Sequence, residues 1–249
     1  MTADDHRLAA DLAEAAGEQL LALRSAQGFA DAALLRERGD RTSHEYLAAR
    51  LARERPDDAV RSEEARDAEP GRDAADRVWI VDPLDGTREY AEEGRDDWAV
   101  HVALWERGVL SAGAVAIPAR GAVLTTAFPP KVPSVWPGPP RIAVSRSRPP
   151  EFVTRLGAAL NAQLVPMGSA GVKIASVVQG LTDVYVHAGG QYEWDSAAPV
   201  AVALAAGLHC SRVDGSPLRY NQPDPWLPDL LVCRPQDAEQ LLAAIAETR

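Results

Sequence analysis

Cysteine is almost missing from this chain: Cys210 and Cys233 are the only two in 249 residues, and their separation matches neither zinc-ligand nor redox spacing. That argues against a disulfide framework or a structural zinc, and both thiols are expected to be reduced and partly buried. Long apolar runs are missing too. No stretch reaches the length needed to cross a bilayer, and Met1-Thr2-Ala3-Asp4-Asp5-His6 is polar and acidic where a leader would be basic and then apolar. A cytoplasmic protein with no membrane partner is expected. Positive charge is scarce: 26 basic against 36 acidic residues leave a formal charge of −10, which argues against binding a nucleic acid polymer or an anionic membrane. A small anionic substrate remains compatible with this charge, because divalent cations reverse the local sign of a carboxylate cluster.

What is present is an ordinary globular composition, 46% hydrophobic and 25% charged, long enough for one large domain or two smaller ones. Eight prolines between Phe128 and Pro150 prevent a continuous helix there and suggest two parts, residues 1–135 and 136–249. In the first part, Leu8, Leu12, Ala16, Leu20 and Leu23 recur at helical spacing, and a second helix is expected from about Arg41 to Arg55, stopped by Pro56. Apolar runs at Val78–Val81, Trp98–Trp105, Val109–Ile117 and Ala122–Phe128 read as antiparallel strands, making an α+β part. The second part alternates: strand Arg141–Ser145, helices Glu151–Leu160 and Ser169–Gln179, strand Asp183–His187, helix Asp195–Ala206, strands Leu208–Val213 and Leu230–Val232, and helix Asp237–Ala246. That is α/β texture with a mixed sheet, and the two parts are expected to face each other across a cleft.

The most informative stretch is Asp82-Pro83-Leu84-Asp85-Gly86-Thr87, where an apolar strand delivers two aspartates three residues apart into a glycine turn. Such a pair suits a hard divalent cation, although Asp-Pro and Asp-Gly are also plain turn chemistry. Other acidic positions have simple alternatives of their own. Glu63 and Glu64, in an acidic segment spanning 57–76, read as surface residues of an exposed loop when taken alone; Asp195 and Asp40 read as helix N-caps, and Thr87 as a turn cap.

Together these residues stand in the order of a known set of motifs. Asp82-Pro83-Leu84-Asp85-Gly86-Thr87, Ser62-Glu63-Glu64 and Trp194-Asp195-Ser196-Ala197-Ala198-Pro199 resemble the three motifs of the lithium-sensitive, magnesium-dependent inositol monophosphatase superfamily. Gly86-Thr87-Arg88-Glu89-Tyr90, Val144-Ser145-Arg146-Ser147, Gly168-Ser169 with Lys173, and Gly215-Ser216-Pro217-Leu218-Arg219-Tyr220 resemble its bacterial CysQ-type 3′-phosphoadenosine 5′-phosphate phosphatase branch. Two departures stand out: Arg36-Glu37-Arg38-Gly39-Asp40 replaces the usual lead-in to the first aspartate, and an acidic loop from Glu92 to Asp97 is shortened.

The resemblance implies a layered αβαβα sugar-phosphatase fold and a hydrolase of sulfate assimilation with two or three Mg²⁺ per active site; a homodimer is expected from the apolar strands Trp98–Trp105 and Val109–Ile117, whose simple alternative is ordinary core. The resemblance assigns Glu63, Asp82 and the Leu84 carbonyl to one Mg²⁺, and Asp82, Asp85 and Asp195 to a second. Thr87, hydrogen-bonded to Asp40, would orient a metal-activated water, with Asp40 and Thr87 as the catalytic pair. The Gly86 and Thr87 amides would hold phosphate oxygens, and Ser145, Arg146, Ser147 and Lys173 would contact substrate, which Glu63, Leu84, Asp85 and Asp195 also face. Arg146 as a surface charge and Lys173 snorkelling to solvent are the simple alternatives. The expected substrate is 3′-phosphoadenosine 5′-phosphate; inositol 1-phosphate and fructose 1,6-bisphosphate stand behind it, since Ala188 occupies the position where inositol monophosphatases carry an acidic residue. A noncatalytic divalent-ion-binding regulatory protein is the alternative from another class. The joint presence of Asp40 and Thr87 favours the enzyme.

Overall fold

Apolar faces that need covering on both sides explain the layering. In this computed structural model, which describes residues 3–65, 75–133, 138–147 and 149–249, two five-stranded sheets alternate with three helical layers. Helices α1 (Ala3–Gln27) and α2 (Ala32–Glu54) form the first layer. The first sheet contains β1 (Ala59–Ser62), β2 (Arg77–Asp85), β3 (Ala99–Glu106), β4 (Val109–Ile117) and β5 (Ala122–Thr125), in that spatial order. Strands β2 to β5 are antiparallel, as the sequence predicts, and β1 joins β2 in parallel.

The second sheet is mixed, in the order β7-β6-β8-β10-β9. Its strands are β6 (Arg141–Ser145), β7 (Gln163–Met167), β8 (Val184–Tyr192), β9 (His209–Ser211) and β10 (Trp226–Cys233). Between the sheets lie α5 (Ala170–Val178) and α6 (Glu193–Ala205), and on the outer face of the second sheet lie α4 (Glu151–Ala159) and α7 (Ala238–Thr248). Three apolar cores hold these layers together: α1 and α2 against Trp79, Val81 and Leu104; α5 and α6 between the sheets; and Phe152, Leu156 and Ile245 against Val184 and Leu231. The αβαβα expectation is met. Strands β3 and β4 are covered on both faces, so their apolar runs are core.

Several boundaries differ from the sequence reading. Helix α2 begins nine residues earlier than expected, with the Asp31 side chain accepting from the Leu34 amide as N-cap, so Asp40 lies inside the helix rather than at its cap. Gly39 looks like a helix breaker but serves close packing: a Cβ there would come within 2.7 Å of the Tyr90 ring and 2.9 Å of Leu84. Helix α2 does stop before Pro56. Part of the 57–76 segment is strand β1, while residues 66–74 and the 135/136 boundary fall outside the described residues. Strand β7 was not anticipated; it contains Pro166 and sits at a sheet edge, where a missing amide donor is tolerated.

Candidate active site

Strand β2 ends in the aspartate motif because Pro83 and the turn interrupt its pairing: the register with β3 shifts between Asp82 and Asp85. The Ser43 hydroxyl, from α2, donates to the Pro83 carbonyl at 2.7 Å and fixes this bend. Gly86 then takes a left-handed φ of +85° and starts the short helix α3 (Thr87–Tyr90).

Asp82, Asp85 and Asp195 converge, with one carboxylate oxygen from each lying within 4.8 Å of the others. Each arrives by a different device. Asp82 is buried, and its Oδ1 accepts from the Leu84 amide at 3.0 Å. Asp85 sits at the N-terminus of α5, accepting from Gly171 N at 2.7 Å, Ala170 N at 3.2 Å and the Ser169 hydroxyl. Behind it, fully buried His101 places Nε2 3.3 Å from Asp85 Oδ2 and Nδ1 3.1 Å from the Trp194 carbonyl. Asp195 occupies the third position of α6 rather than its cap, and its Oδ2 accepts from the Tyr192 amide at 2.6 Å.

These like charges oppose one another's ionisation. Burial pushes the Asp82 carboxyl well above its ordinary range, and Glu63, Asp85 and Asp195 push it further. Burial, then Asp85 and Glu63, raise Asp195 to about 7 against the opposing Tyr192 amide and Lys173. An all-carboxylate donor set of this kind fits a hard divalent cation, which would relieve the repulsion. Glu63, half-buried after β1, stands outside the converging trio, but its charge reaches Asp82, Asp195 and Asp40.

Asp40 is half-buried and raised to about 7, by burial first and then by Glu64 and Glu63. The expected Asp40–Thr87 hydrogen bond is not formed. The Thr87 hydroxyl instead donates to the Leu84 carbonyl at 3.1 Å, because that carbonyl is the acceptor lying one turn back in the motif.

Two connected clefts open beside the aspartates. Asp40, Gly86, Thr87, Ser145, Arg146, Ser147 and Lys173 line one of about 500 Å³. Asp85, Asp195, Ser145, Ser147 and Lys173 line another of about 570 Å³. Lys173 does not snorkel to solvent: it is buried, its Nζ donates to the Gly168 carbonyl at 3.0 Å, and it lies 5.6 Å from the Tyr185 ring centroid. Burial lowers its pKa against the pull of Asp85, Glu89, Asp195 and Asp97. Arg146 is not a free surface charge either, since its guanidinium pairs with Glu89 at 2.7 Å and with Glu92.

The sequence reading missed the scaffold behind the site. Arg61 pairs with Glu193 at 2.6 Å, joining the strand before Glu63 to the helix that carries Asp195. The acidic loop is tied down as well: Arg24 donates to the carbonyls of Glu92 at 2.7 Å and Arg95 at 3.0 Å, and Asp97 accepts from the Gly168 amide. Adjacency to motifs was the available signal for Arg61, which precedes Ser62-Glu63, and for Glu193, which precedes Trp194-Asp195.

Comparison with known proteins agrees with this geometry. The family description "Inositol monophosphatase family" matches residues 6–128 and 141–249. The chain is 54% identical to a Mycobacterium bovis protein named 3′-phosphoadenosine 5′-phosphate phosphatase, covering 93% of this chain and 90% of the relative. It is 30% identical to the Escherichia coli K12 3′(2′),5′-bisphosphate nucleotidase CysQ, over 76% and 80% of the two chains. Among solved structures, CysQ from Bacteroides thetaiotaomicron superposes with a TM-score of 0.75 at 27% identity, covering 93% of this chain and 97% of that one.

Proposed function

The chain belongs to the inositol monophosphatase family, and on that premise we propose that it is a Mg²⁺-dependent phosphomonoesterase converting 3′-phosphoadenosine 5′-phosphate to AMP and phosphate. The observation that carries the reading is the convergence of Asp82, Asp85 and Asp195 beside clefts lined by Lys173 and serines. The names of relatives at 54% and 30% identity point to the nucleotide, and Ala188, in place of an acidic residue, disfavours inositol.

Glu63, Asp82 and the Leu84 carbonyl would hold one cation, and Asp82, Asp85 and Asp195 a second. When bound, such cations lower the pKa of a water and offset charge on the phosphate. The protein's own part is placement and proton handling. Gly86 and Thr87 amides face phosphate oxygens, while Lys173, Arg146, Ser145 and Ser147 meet the remainder of the substrate. The Thr87 hydroxyl would turn from the Leu84 carbonyl to donate to the Asp40 carboxylate, so that as its oxygen takes the proton of the attacking water its own proton passes to Asp40. Burial, the largest cause of the Asp40 rise, persists when a cation meets Glu63, so the carboxyl retains its readiness to take a proton. A cytoplasmic homodimer of two parts divided at 135/136 completes the reading; each part contributes one of the two sheets, and Phe128 is an exposed apolar side chain available to a second copy.

The test is metal-dependent phosphate release from 3′-phosphoadenosine 5′-phosphate, fructose 1,6-bisphosphate and inositol 1-phosphate, run beside Asp85→Ala. Preference for the nucleotide, lost in the variant, supports the reading. Preference for a sugar phosphate keeps the chemistry and overturns the substrate, and no metal-dependent release overturns the enzyme.

A further inference from the structure

The cleft of about 570 Å³ that contains Asp85, Asp195 and Lys173 is also lined by Ala188, Gly189, Gly190, Tyr192 and Trp226. Trp226 opens β10 and pairs in register with Tyr192, yet 46% of its surface is exposed. Its seat is built rather than incidental. The Tyr192 ring meets the Trp226 ring edge-on at 5.6 Å, and Tyr192 itself stacks on Trp194, the neighbour of Asp195, at 4.8 Å. A Cβ at Gly190 would fall 1.6 Å from the indole Cζ2, so the indole occupies space that only a glycine leaves, and Gly190 has a left-handed φ of +84°. The register of β10 on β8 slips between Leu227 and Asp229, which brings both Gly189 and Gly190 into this wall.

The wall has a definite chemical preference. Ser145, Ser147, His187 and Gln191 also line the cleft, but the stretch beside the indole, Ala188, Gly189 and Gly190, offers no side-chain hydrogen-bonding group to a polyhydroxylated ring, whereas an indole fixed on one side and open on the other offers a flat π surface. Neither the aspartate cluster nor the phosphate contacts engage this residue. Resting on the nucleotide reading above, we propose that Trp226, seated on Gly190 and Tyr192, stacks against the purine base of the substrate and makes the enzyme select a nucleotide over a base-free phosphate ester.

Base–aromatic stacking predicts a rise of about 5- to 150-fold in KM for 3′-phosphoadenosine 5′-phosphate in Trp226→Ala, with kcat little changed. Trp226→Phe should recover most of the loss. Calorimetry in Mg²⁺ should show AMP binding weakened by the same factor in Trp226→Ala, while ribose 5-phosphate binds wild type and variant alike. A fall in kcat at constant KM, or equal loss for AMP and ribose 5-phosphate, would show a structural role near Asp195 and overturn the proposal. Nucleotide turnover with unchanged KM keeps the function and removes the shelf. AMP binding that depends on Trp226 without turnover of 3′-phosphoadenosine 5′-phosphate keeps the shelf and overturns the substrate. Failure of wild type to bind AMP overturns both.

Discussion

Two buried groups of charge lie at the junction of β1, β2 and α6, and they are handled in opposite ways. Around Glu193 the charge is neutralised internally: Arg61 pairs with it at 2.6 Å, the amides of Asn221 and Gln222 donate at 2.9 and 2.7 Å, and Arg61 also reaches the Gln222 carbonyl at 2.6 Å. Burial still raises the Glu193 carboxyl, although those amides and Arg61 pull it down. Around Asp82 the neighbours are Asp85, Asp195 and Glu63, each adding to the rise that burial begins. The first group is complete as folded. The second concentrates like charge that the Leu84 and Tyr192 amides and Lys173 offset only in part, an arrangement suited to a cation from outside.

Neutralising a member of each group separates the two most sharply. Asp82→Asn keeps the shape and removes one repelling charge. It should lower metal-dependent phosphate release by at least about 10³-fold, the scale of several kcal/mol of lost charge stabilisation. In chelator its melting temperature should equal or exceed that of wild type, and a clear drop would mean that Asp82 is a structural anion like Glu193. Glu193→Ala should do the reverse in a denaturant titration, costing about 3–5 kcal/mol because it strands the buried Arg61 guanidinium. A cost within experimental error would mean that Arg61 finds other partners.

Adding the cation tests the same contrast more gently. A divalent ion at a hundred times its Kd should stabilise wild type by about 2.7 kcal/mol, raising its melting temperature with concentration. Asp82→Asn should lose this response, and a conservative change in the other cluster, Glu193→Gln, should retain it from a lower baseline. An equal response in Asp82→Asn would place the cation elsewhere.

One side of this contrast is legible in the sequence. The aspartate motif is legible because strand, proline and glycine turn are local features, and Asp195 because Trp194 and the following alanines accompany it. Placement depending on distant neighbours was not legible. Gly39 suggests a helix start unless Tyr90 and Leu84 are known to press against it, and Lys173 suggests solvent unless α5 is known to lie between two sheets. The Thr87 hydroxyl bonds to Leu84 rather than to Asp40, a choice between acceptors that spacing does not encode. The Arg61–Glu193 pair spans 132 residues, so only the fold brings it together.

The smallest effect concerns a third buried carboxylate, Asp183, which resembles Glu193 in having its charge met by the chain. Its oxygens accept from the Arg141 amide and Nε, both at 2.9 Å, and from Arg234 at 3.0 Å. Burial pushes its pKa up, but the bonds from Arg141 and Arg234 win and hold it below 3.8. A carboxyl depressed in the folded state contributes stability that is fully present above its unfolded pKa of 3.8 and is lost as pH falls through the lower folded value. Asp183→Asn should therefore be less stable than wild type by a constant margin above about pH 5, with the margin shrinking as the pH drops below 4. Urea midpoints for the two proteins across that range measure it. The Asp82 carboxyl is raised instead, so in chelator Asp82→Asn should be the more stable protein at neutral pH and should lose that advantage as the pH falls through the raised folded pKa, approaching wild type from the opposite side. If Asp82→Asn in chelator is instead less stable than wild type above about pH 5 and recovers only below about pH 4, as Asp183→Asn should, the two kinds of buried carboxylate are not handled differently after all.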